Sequence, residues 1–316
     1  MIVQVRMLVW LALAFFMAPT CAQSFPEKRI TLYVGFGAGG PTDLAFRTLA
    51  EAASRHLGQR IIVENKPGAS ATLAAAAALR AKPDGYTIAH LSSNLLRMQY
   101  LTKLDYDPLG DLTWIIAFAD YQSGVVVRAD APWKTWKEFI VYAKANPKKV
   151  SYATTGVGGI QHATLSEIAR REGIDWVMVP YKSSPDASNA LLSGEVQASG
   201  GSGGWAQFVH DGRLRLLVAT GDKIARWPDV PTLMELGYGV STRAPVGIGG
   251  PKGMNPKVVA ALHDAFRAAL KEPVFLQTLE RHEMNTAYLS SADYARWARE
   301  RSAIEKVMVE RLGLKP

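Results

Sequence analysis

Three glycines near the start of the chain have the spacing of a loop that binds anions. Gly35, Gly37 and Gly40 fit G-x-G-x-x-G within "LYVGFGAGGPTD". An apolar, strand-like run precedes them, a helix-like run follows from Thr42, and the next strand-like run ends in the acidic Glu64. This arrangement is the fingerprint of the dinucleotide-binding βαβ unit. The pyrophosphate of NAD is therefore one occupant that the loop could hold.

The same loop suits other anions. Glycines allow close approach of the backbone, and a helix N-terminus offers unpaired N–H groups and the positive end of its dipole. Pro41 directly follows Gly40 and has no N–H, which departs from the dinucleotide pattern. Dinucleotide binding, a structural turn without a ligand, and recognition of a carboxylate or phosphate all remain open. We favour the last of these.

A second glycine-rich stretch, "GGSGG" at 200–204, satisfies the G-x-S-x-G pattern of a nucleophilic serine. Ser202 would be the nucleophile, with Asp229 and His263 following in the order of one known triad. A run composed almost entirely of glycine fits this pattern trivially, however, and no HGGG-type oxyanion loop is present. We expect a pocket loop in which Ser202 donates a hydrogen bond. A serine hydrolase is kept as an alternative.

The histidines and the single cysteine give no support for a metal site. None of the six histidines forms an H-x-x-x-H or H-E-x-x-H pair, and Cys21 is the only cysteine. His162 stands out because it follows "GVGG" in what reads as the first turn of a helix. There it could donate to a ligand or satisfy a loop carbonyl. We expect no metal site.

The first 22 residues read as a secretory signal peptide. Arg6 is their only charge, the apolar run 7–18 is too short to span a bilayer, and Pro19 breaks it. Small residues precede an expected cleavage after Ala22. An uncleaved anchor and a lipid on Cys21 are the weaker alternatives. The remaining chain of about 294 residues is long enough for two lobes.

The charge pattern argues against nucleic acid as a partner. The net charge is +8, or +7 without Arg6, and the lysines and arginines are dispersed. No basic run interleaved with aromatic residues is present. A mild positive charge suits the attraction of small anions.

The elements that must position these residues follow an α/β order. Short apolar runs alternate with helical patterns in two βαβ series, which predicts mostly parallel sheets flanked by helices. Extended passages near 121–128 and 241–249 predict two crossings that form a hinge. We therefore expect a two-lobe α/β protein with a cleft between the lobes. The predicted division is a signal peptide (1–22), lobe I (23–122 and 241–316) and lobe II (123–240).

An ordered set of motifs across residues 25–314 resembles the substrate-binding proteins of tripartite tricarboxylate transporters, also called Bug receptors. The motifs are "FPEKRITLYVGFGAGGPTD", "VENKPGA", "KPDGYT", "YDPLGDLTWI", "YATTGVGGIQH", "VPYK" and "PDVPTLMELG". The resemblance implies a type II-like periplasmic binding protein that closes on a small carboxylate and delivers it to a membrane permease. It also implies a periplasmic protein without a cofactor or enzymatic activity. We expect the free receptor to be a monomer.

Carried over by position, the resemblance also implies the ligand contacts. Those of the first lobe would be Phe36, Gly39, Gly40, Thr42, Asp43, Ser92, Ser93 and Asn94. Those of the second lobe would be Thr154, Thr155, Gly159 and His162, with Tyr181 nearby. Ser202 joins them as a hydrogen-bond donor.

The chain departs from the family pattern at three places. Pro41 stands where a third glycine is usual, residues 159–161 replace a segment rich in hydroxyl side chains, and 198–204 replaces a stretch with an acidic residue. Each change removes polar groups from the expected pocket. The hypothesis that follows is a ligand with an apolar or aromatic body rather than a short polyhydroxy acid such as citrate.

Overall fold

The computed structural model describes residues 25–312, which form two lobes, each a β-sheet flanked by helices. The predicted signal peptide and Cys21 lie outside the described residues. The strands of the first sheet are β1 (Ile30–Val34), β2 (Ile61–Asn65), β3 (Thr87–Leu91), β4 (Leu112–Tyr121), β10 (Pro245–Pro251) and β11 (Met284–Leu289). They lie side by side in the order β11-β4-β10-β3-β1-β2.

The helices packed on the first sheet come from both ends of the described chain. They are α1 (Pro41–Leu57), α2 (Thr72–Leu79), α3 (Leu95–Leu101), α8 (Pro256–Ala269), α9 (Pro273–Arg281) and α10 (Ser291–Leu312). Pro41 starts α1 with a preset φ, and Gly58 ends it in the left-handed region at φ 71°. One face of α1 buries Phe46 and Leu49 in the main core of this lobe.

The second sheet is built from the middle of the chain. Its strands are β5 (Ser123–Arg128), β6 (Ser151–Thr154), β7 (Val177–Pro180), β8 (Ala198–Ser202) and β9 (Leu214–Ala219), in the spatial order β7-β6-β8-β5-β9. Its helices are α4 (Trp136–Ala145), α5 (Ile160–Glu172), α6 (Ser184–Ser193) and the short α7 (Ala206–His210). The predicted domain boundaries near 122 and 241 stay a prediction.

Both sheets are mixed, whereas the sequence pattern predicted mostly parallel ones. The βαβ units are parallel as expected: β1 pairs in parallel with β2 and β3, and β6 with β7 and β8. The antiparallel pairs involve β4, β5 and β10. These strands carry the chain from one lobe to the other, so the crossings rather than helical connections set their direction.

Two crossings join the lobes. Only Gln122 separates β4 from β5. At the second crossing, the Thr242 N–H donates to the Thr220 carbonyl (2.9 Å), and the Ala244 N–H donates to Asp120 Oδ1 (2.8 Å). Asp120 lies at the end of β4, so its carboxylate ties the two crossings together.

His90 of β3 is buried without a hydrogen-bond partner for either ring nitrogen in the described structure. Its ring lies 5.7 Å from that of Phe36 and 5.0 Å from that of Phe46. Burial lowers the pKa of His90 to about 3. Between pH 6.5 and pH 3, His90 is therefore neutral in the folded chain and protonated in the unfolded chain.

We expect the protein to lose stability through His90 as the pH falls from 6.5 towards 3. The loss is about 1.4 kcal/mol per pH unit, or about 2 kcal/mol at pH 5. His90→Leu removes this group, so its free energy of unfolding should fall less between pH 7.5 and pH 5 than that of the unaltered protein. Urea unfolding at the two pH values measures the difference. Equal losses in both proteins would contradict the assignment.

No helix among residues 25–312 combines the length and hydropathy needed to cross a bilayer.

Candidate functional site

A cleft lies between the lobes, next to the two crossings. We call it the inner cleft. Its walls are the ends of strands and the starts of the helices that follow them, as expected for ligand sites in open α/β sheets. It is lined by Phe36, Gly37, Gly40, Pro41, Thr42, Ser92, Ser93, Asn94, Tyr121, Ser123, Thr154, Thr155, Gly156, Gly159, Ile160, Gln161, His162, Ser184, Ser202, Thr242 and Ala244.

The structure brings most of the predicted contacts together in this cleft. Gly39, Asp43 and Tyr181 do not line it. The predicted residues that do are Phe36, Gly40, Thr42, Ser92, Ser93, Asn94, Thr154, Thr155, Gly159, His162 and Ser202.

Two long helices point uncapped N-termini into the inner cleft. The N-cap residues of α1 and α5 are Gly40 and Gly159, which have no side chain to cap the helix; of the first N–H groups of α5, that of Ile160 donates to Asn94 Oδ1. Elsewhere, Thr135 caps α4 and Asn255 caps α8. A helix N-terminus without a cap keeps N–H donors for another acceptor and presents the positive end of its dipole. Facing helix ends from opposite lobes form a site suited to an anion.

Asn94 connects the two lobes within the cleft. Its Nδ2 donates to the Ser70 carbonyl of the first lobe (3.2 Å), and its Oδ1 accepts from the Ile160 N–H at the start of α5 (3.1 Å). The side chain is buried. Ser92 and Ser93 precede it in the same turn, so this segment offers hydroxyl groups beside an amide that already holds the lobes together.

His162 is set up as a neutral hydrogen-bond donor. Its Nδ1 accepts from the Gly158 N–H (2.9 Å), which leaves the ring proton on Nε2. Burial lowers the pKa of His162, and the positive charge of Arg97 lowers it further. The imidazole is therefore uncharged at neutral pH. Its Nε2–H remains available to an acceptor in the cleft.

The hinge contributes cleft residues that the sequence analysis did not name. The Tyr121 hydroxyl lies 2.6 Å from Thr42 Oγ1, and burial raises the pKa of Tyr121, so it stays a phenol. Ser123, Thr242 and Ala244 line the same wall. The predicted crossings were the signal that could have indicated these residues, because a cleft between hinged lobes is bounded on one side by its hinge.

Asp43 braces the glycine loop instead of lining the cleft. It accepts hydrogen bonds from the Gly39 N–H (2.9 Å), Arg47 Nε (3.0 Å) and Asn65 Nδ2 (2.8 Å). Burial alone would raise the pKa of Asp43, yet the bonds from Arg47, Gly39 and Asn65 hold it below its usual value. The hydrogen bonds of the Asp43 carboxylate and of the Gly39 N–H are therefore made within the protein and hold the glycine loop in place.

The dinucleotide and hydrolase alternatives find little support in this geometry. A Cβ on Gly37 would lie 3.0 Å from Ser183 Cβ of the other lobe, so the loop packs against protein where a pyrophosphate would need space. Ser202 lines the inner cleft, but Asp229 and His263 do not. His263 instead contacts Asp264 (2.8 Å) and Tyr288 (2.9 Å).

Residues 25–312 contain no group of three or more histidine, cysteine, aspartate or glutamate side chains placed to hold a metal ion.

The lobes meet around the cleft through direct hydrogen bonds. The Gly37 N–H donates to the Lys182 carbonyl (3.4 Å), and Arg97 Nη1 donates to the Gly158 carbonyl (3.2 Å). Ser70 Oγ donates to the Val157 carbonyl. The structure is thus a closed arrangement of the two lobes.

Comparison with known proteins places this fold and sequence in one group. Residues 45–314 match the family model described as tripartite tricarboxylate transporter family receptor. A relative from Cupriavidus necator, "UPF0065 protein in gbd 5'region", is 44% identical over 305 residues, covering 96% of this chain and 93% of the relative.

Solved structures agree in fold over nearly the whole chain. Periplasmic binding protein BugD is 28% identical with a TM-score of 0.87, covering 92% of this chain and 99% of BugD. Rpa4515 of R. palustris, solved with adipate, is 26% identical (TM-score 0.85; 92% and 99% covered). MatC from Rhodopseudomonas palustris, with bound malate, is 26% identical (TM-score 0.82; 90% and 100% covered). This chain therefore belongs to the tripartite tricarboxylate transporter receptor family, whose members are periplasmic binding proteins.

Proposed function

We propose that this protein is an exported solute receptor that binds a small carboxylate in the inner cleft. The observation that carries the proposal is the meeting of two uncapped helix N-termini, one from each lobe, at Gly40 and Gly159. A carboxylate between them would accept N–H bonds from both lobes at once. Binding would then stabilise the closed state relative to an open one.

The side chains of the inner cleft fit the same ligand. Thr42, Ser92, Ser93 and the Nε2–H of His162 supply neutral donors, and no acidic side chain lines the cleft. Hydrogen bonds from such donors satisfy a carboxylate after its removal from water. The malate and adipate held by two structural neighbours are both carboxylates, which supports this ligand class.

We also propose that the receptor performs no chemistry. Its polar cleft residues are hydrogen-bond donors, and the hydroxyl of Ser202 has no partnered histidine among the described residues. After removal of a signal peptide at about Ala22, the mature monomer would carry its ligand to the membrane permease of a tripartite transporter. The family membership supports this partner.

A titration of the purified mature protein tests the proposal. Malate, adipate and citrate are compared with NAD by thermal shift and calorimetry, because a ligand bound only by the native state raises the unfolding midpoint. We expect a carboxylate, and not NAD, to raise it. Failure of every carboxylate to bind would refute the proposal.

His162→Ala is expected to weaken the best-binding carboxylate about tenfold, the cost of one hydrogen bond to a charged acceptor. The matched control is His210→Ala, since His210 is exposed on α7 and does not line the cleft. Calorimetry at pH 7.5 gives both affinities. Equal affinities in the two variants would remove His162 from the site.

A further inference from the structure

A second, larger cavity lies between the lobes beside the inner cleft. We call it the outer chamber. The first lobe borders it with Phe36, the turn 68–71 and the α3 residues Met98 and Leu101. The second lobe borders it with the loop 155–158 and with residues 180–182.

The two spaces differ greatly in size. The inner cleft has a volume of about 50 Å³, whereas the outer chamber has a volume of about 670 Å³. The inner cleft therefore has less than a tenth of the volume of the chamber. Pockets that hold whole small molecules are typically about 300–1,000 Å³. In this closed arrangement, only the outer chamber is large enough for the body of a ligand.

The two spaces are adjacent and share part of their lining. Phe36 and His162 line both of them, and so do Thr155 and Gly156. A molecule whose carboxylate lies at the helix N-termini would reach the chamber beside Phe36 and His162.

The walls of the outer chamber are suited to hydrocarbon. Met98, Leu101 and Val157 present apolar side chains. Tyr181 presents its ring, because its hydroxyl donates to Glu195 Oε1 (2.7 Å). Lys182 is the only lysine, arginine, aspartate or glutamate among the lining residues, and it is exposed at the rim without an ion pair in the described structure.

We propose that the outer chamber binds the apolar body of an elongated carboxylic acid whose carboxylate occupies the inner cleft. This inference rests on the proposed function, since it uses the same carboxylate site. It assigns the chamber as a subsite that selects for the length and hydrophobicity of the ligand. In the chamber the hydrocarbon chain of the ligand is removed from water, so each methylene group that contacts the walls strengthens binding.

The test varies ligand length and one wall of the chamber. Calorimetry compares acetate with butyrate, hexanoate and octanoate, and succinate with adipate and suberate. Val157→Asn makes the wall polar without adding charge; Val157 is 57% exposed, so the fold should tolerate it. The matched control is Val141→Asn on α4, where Val141 is 60% exposed and lines neither cavity.

We expect affinity to rise with chain length in at least one series. Val157→Asn should weaken the longest binding member about fivefold and leave the shortest binding member within twofold, and Val141→Asn should change neither. Equal affinity for short and long acids, or an equal loss for both in Val157→Asn, would overturn the inference while leaving the carboxylate site intact. Absence of binding by every acid would refute the proposed function itself.

Discussion

Replacing Arg97 by methionine is expected to lower the free energy of unfolding by about 3 kcal/mol. Arg97 of α3 is fully buried and forms a bidentate ion pair with Glu305 of α10 (2.6 and 2.7 Å). Glu305 is also fully buried. Removing the guanidinium leaves a carboxylate away from water with fewer donors, which costs far more than the loss of an exposed pair.

Arg301 limits this loss. Its Nε and Nη2 donate to Glu305 Oε1 (2.7 and 2.6 Å), so Glu305 would keep one cationic partner in Arg97→Met. This places the expected cost at the lower end of the range of about 3–5 kcal/mol for breaking a buried pair. Urea unfolding at pH 7 of the single variant and of the unaltered protein measures it.

The double variant Arg97→Met/Glu305→Met is the control for this interpretation. It removes both charges of the pair, and apolar replacement of a whole buried pair is often neutral for stability. We expect it to recover most of what Arg97→Met loses. A double variant less stable than the single one would show that packing volume, and not an unpaired charge, causes the effect.

The double variant should still bind ligand more weakly than the unaltered protein. Arg97 Nη1 donates to the Gly158 carbonyl across the lobes, and neither variant restores this bond. Gly158 in turn orients His162 through its N–H. We therefore expect the double variant to regain most of its free energy of unfolding but not its affinity for the ligand.

The sequence predicted best what depends on local signals. Gly40 and Gly159 directly precede helices, and strands β1, β3 and β6 lead into turns that begin with glycine, serine or threonine. The family resemblance implied that residues following β3 and β6, which belong to different sheets, lie together in the cleft. Ser92–Asn94 and Thr154–Thr155 do so, although they are far apart in the chain.

Asp43 shows where a local signal is ambiguous. An acidic residue in the first turn of a helix can face a ligand or brace its own loop, and the two cases look alike in sequence. In the structure, Asp43 accepts hydrogen bonds from Arg47 and from Asn65, the second of which lies on β2. Only the tertiary packing of β2 beside the loop decides between the two roles.

Contacts that depend on long-range packing had no sequence signal. Tyr121 and Thr242 reach the inner cleft because the two crossings lie beside it, and Ser184 because α6 of the second lobe meets the glycine loop. Strand β11 was not predicted from the sequence. Its burial pattern lacks strict alternation, and it is the edge strand of the first sheet, paired with β4.

Gly37→Val is expected to weaken carboxylate binding about 100-fold, or roughly 2.7 kcal/mol, within the usual cost of overpacking. Gly37 is the middle glycine of the loop, and a Cβ there would lie 3.0 Å from Ser183 Cβ in the other lobe. The two methyl groups of valine add bulk at the same place. Since the first lobe carries Gly37 and the second carries Ser183, the substitution opposes closure directly.

Two measurements distinguish a block of lobe closure in Gly37→Val from a general loss of folded structure. Calorimetry gives the affinity, and small-angle scattering at saturating ligand shows whether the radius of gyration stays at its ligand-free value, as expected for Gly37→Val. Gly201→Val is the matched control, because a Cβ at Gly201 meets no atom within 4 Å. Unchanged affinity in Gly37→Val would mean that ligand binding does not need the contact between the glycine loop and Ser183. The spacing of the glycines would then reflect the packing of Gly35 against Ala71 within the first lobe, where a Cβ would lie 2.6 Å from Ala71 Cβ.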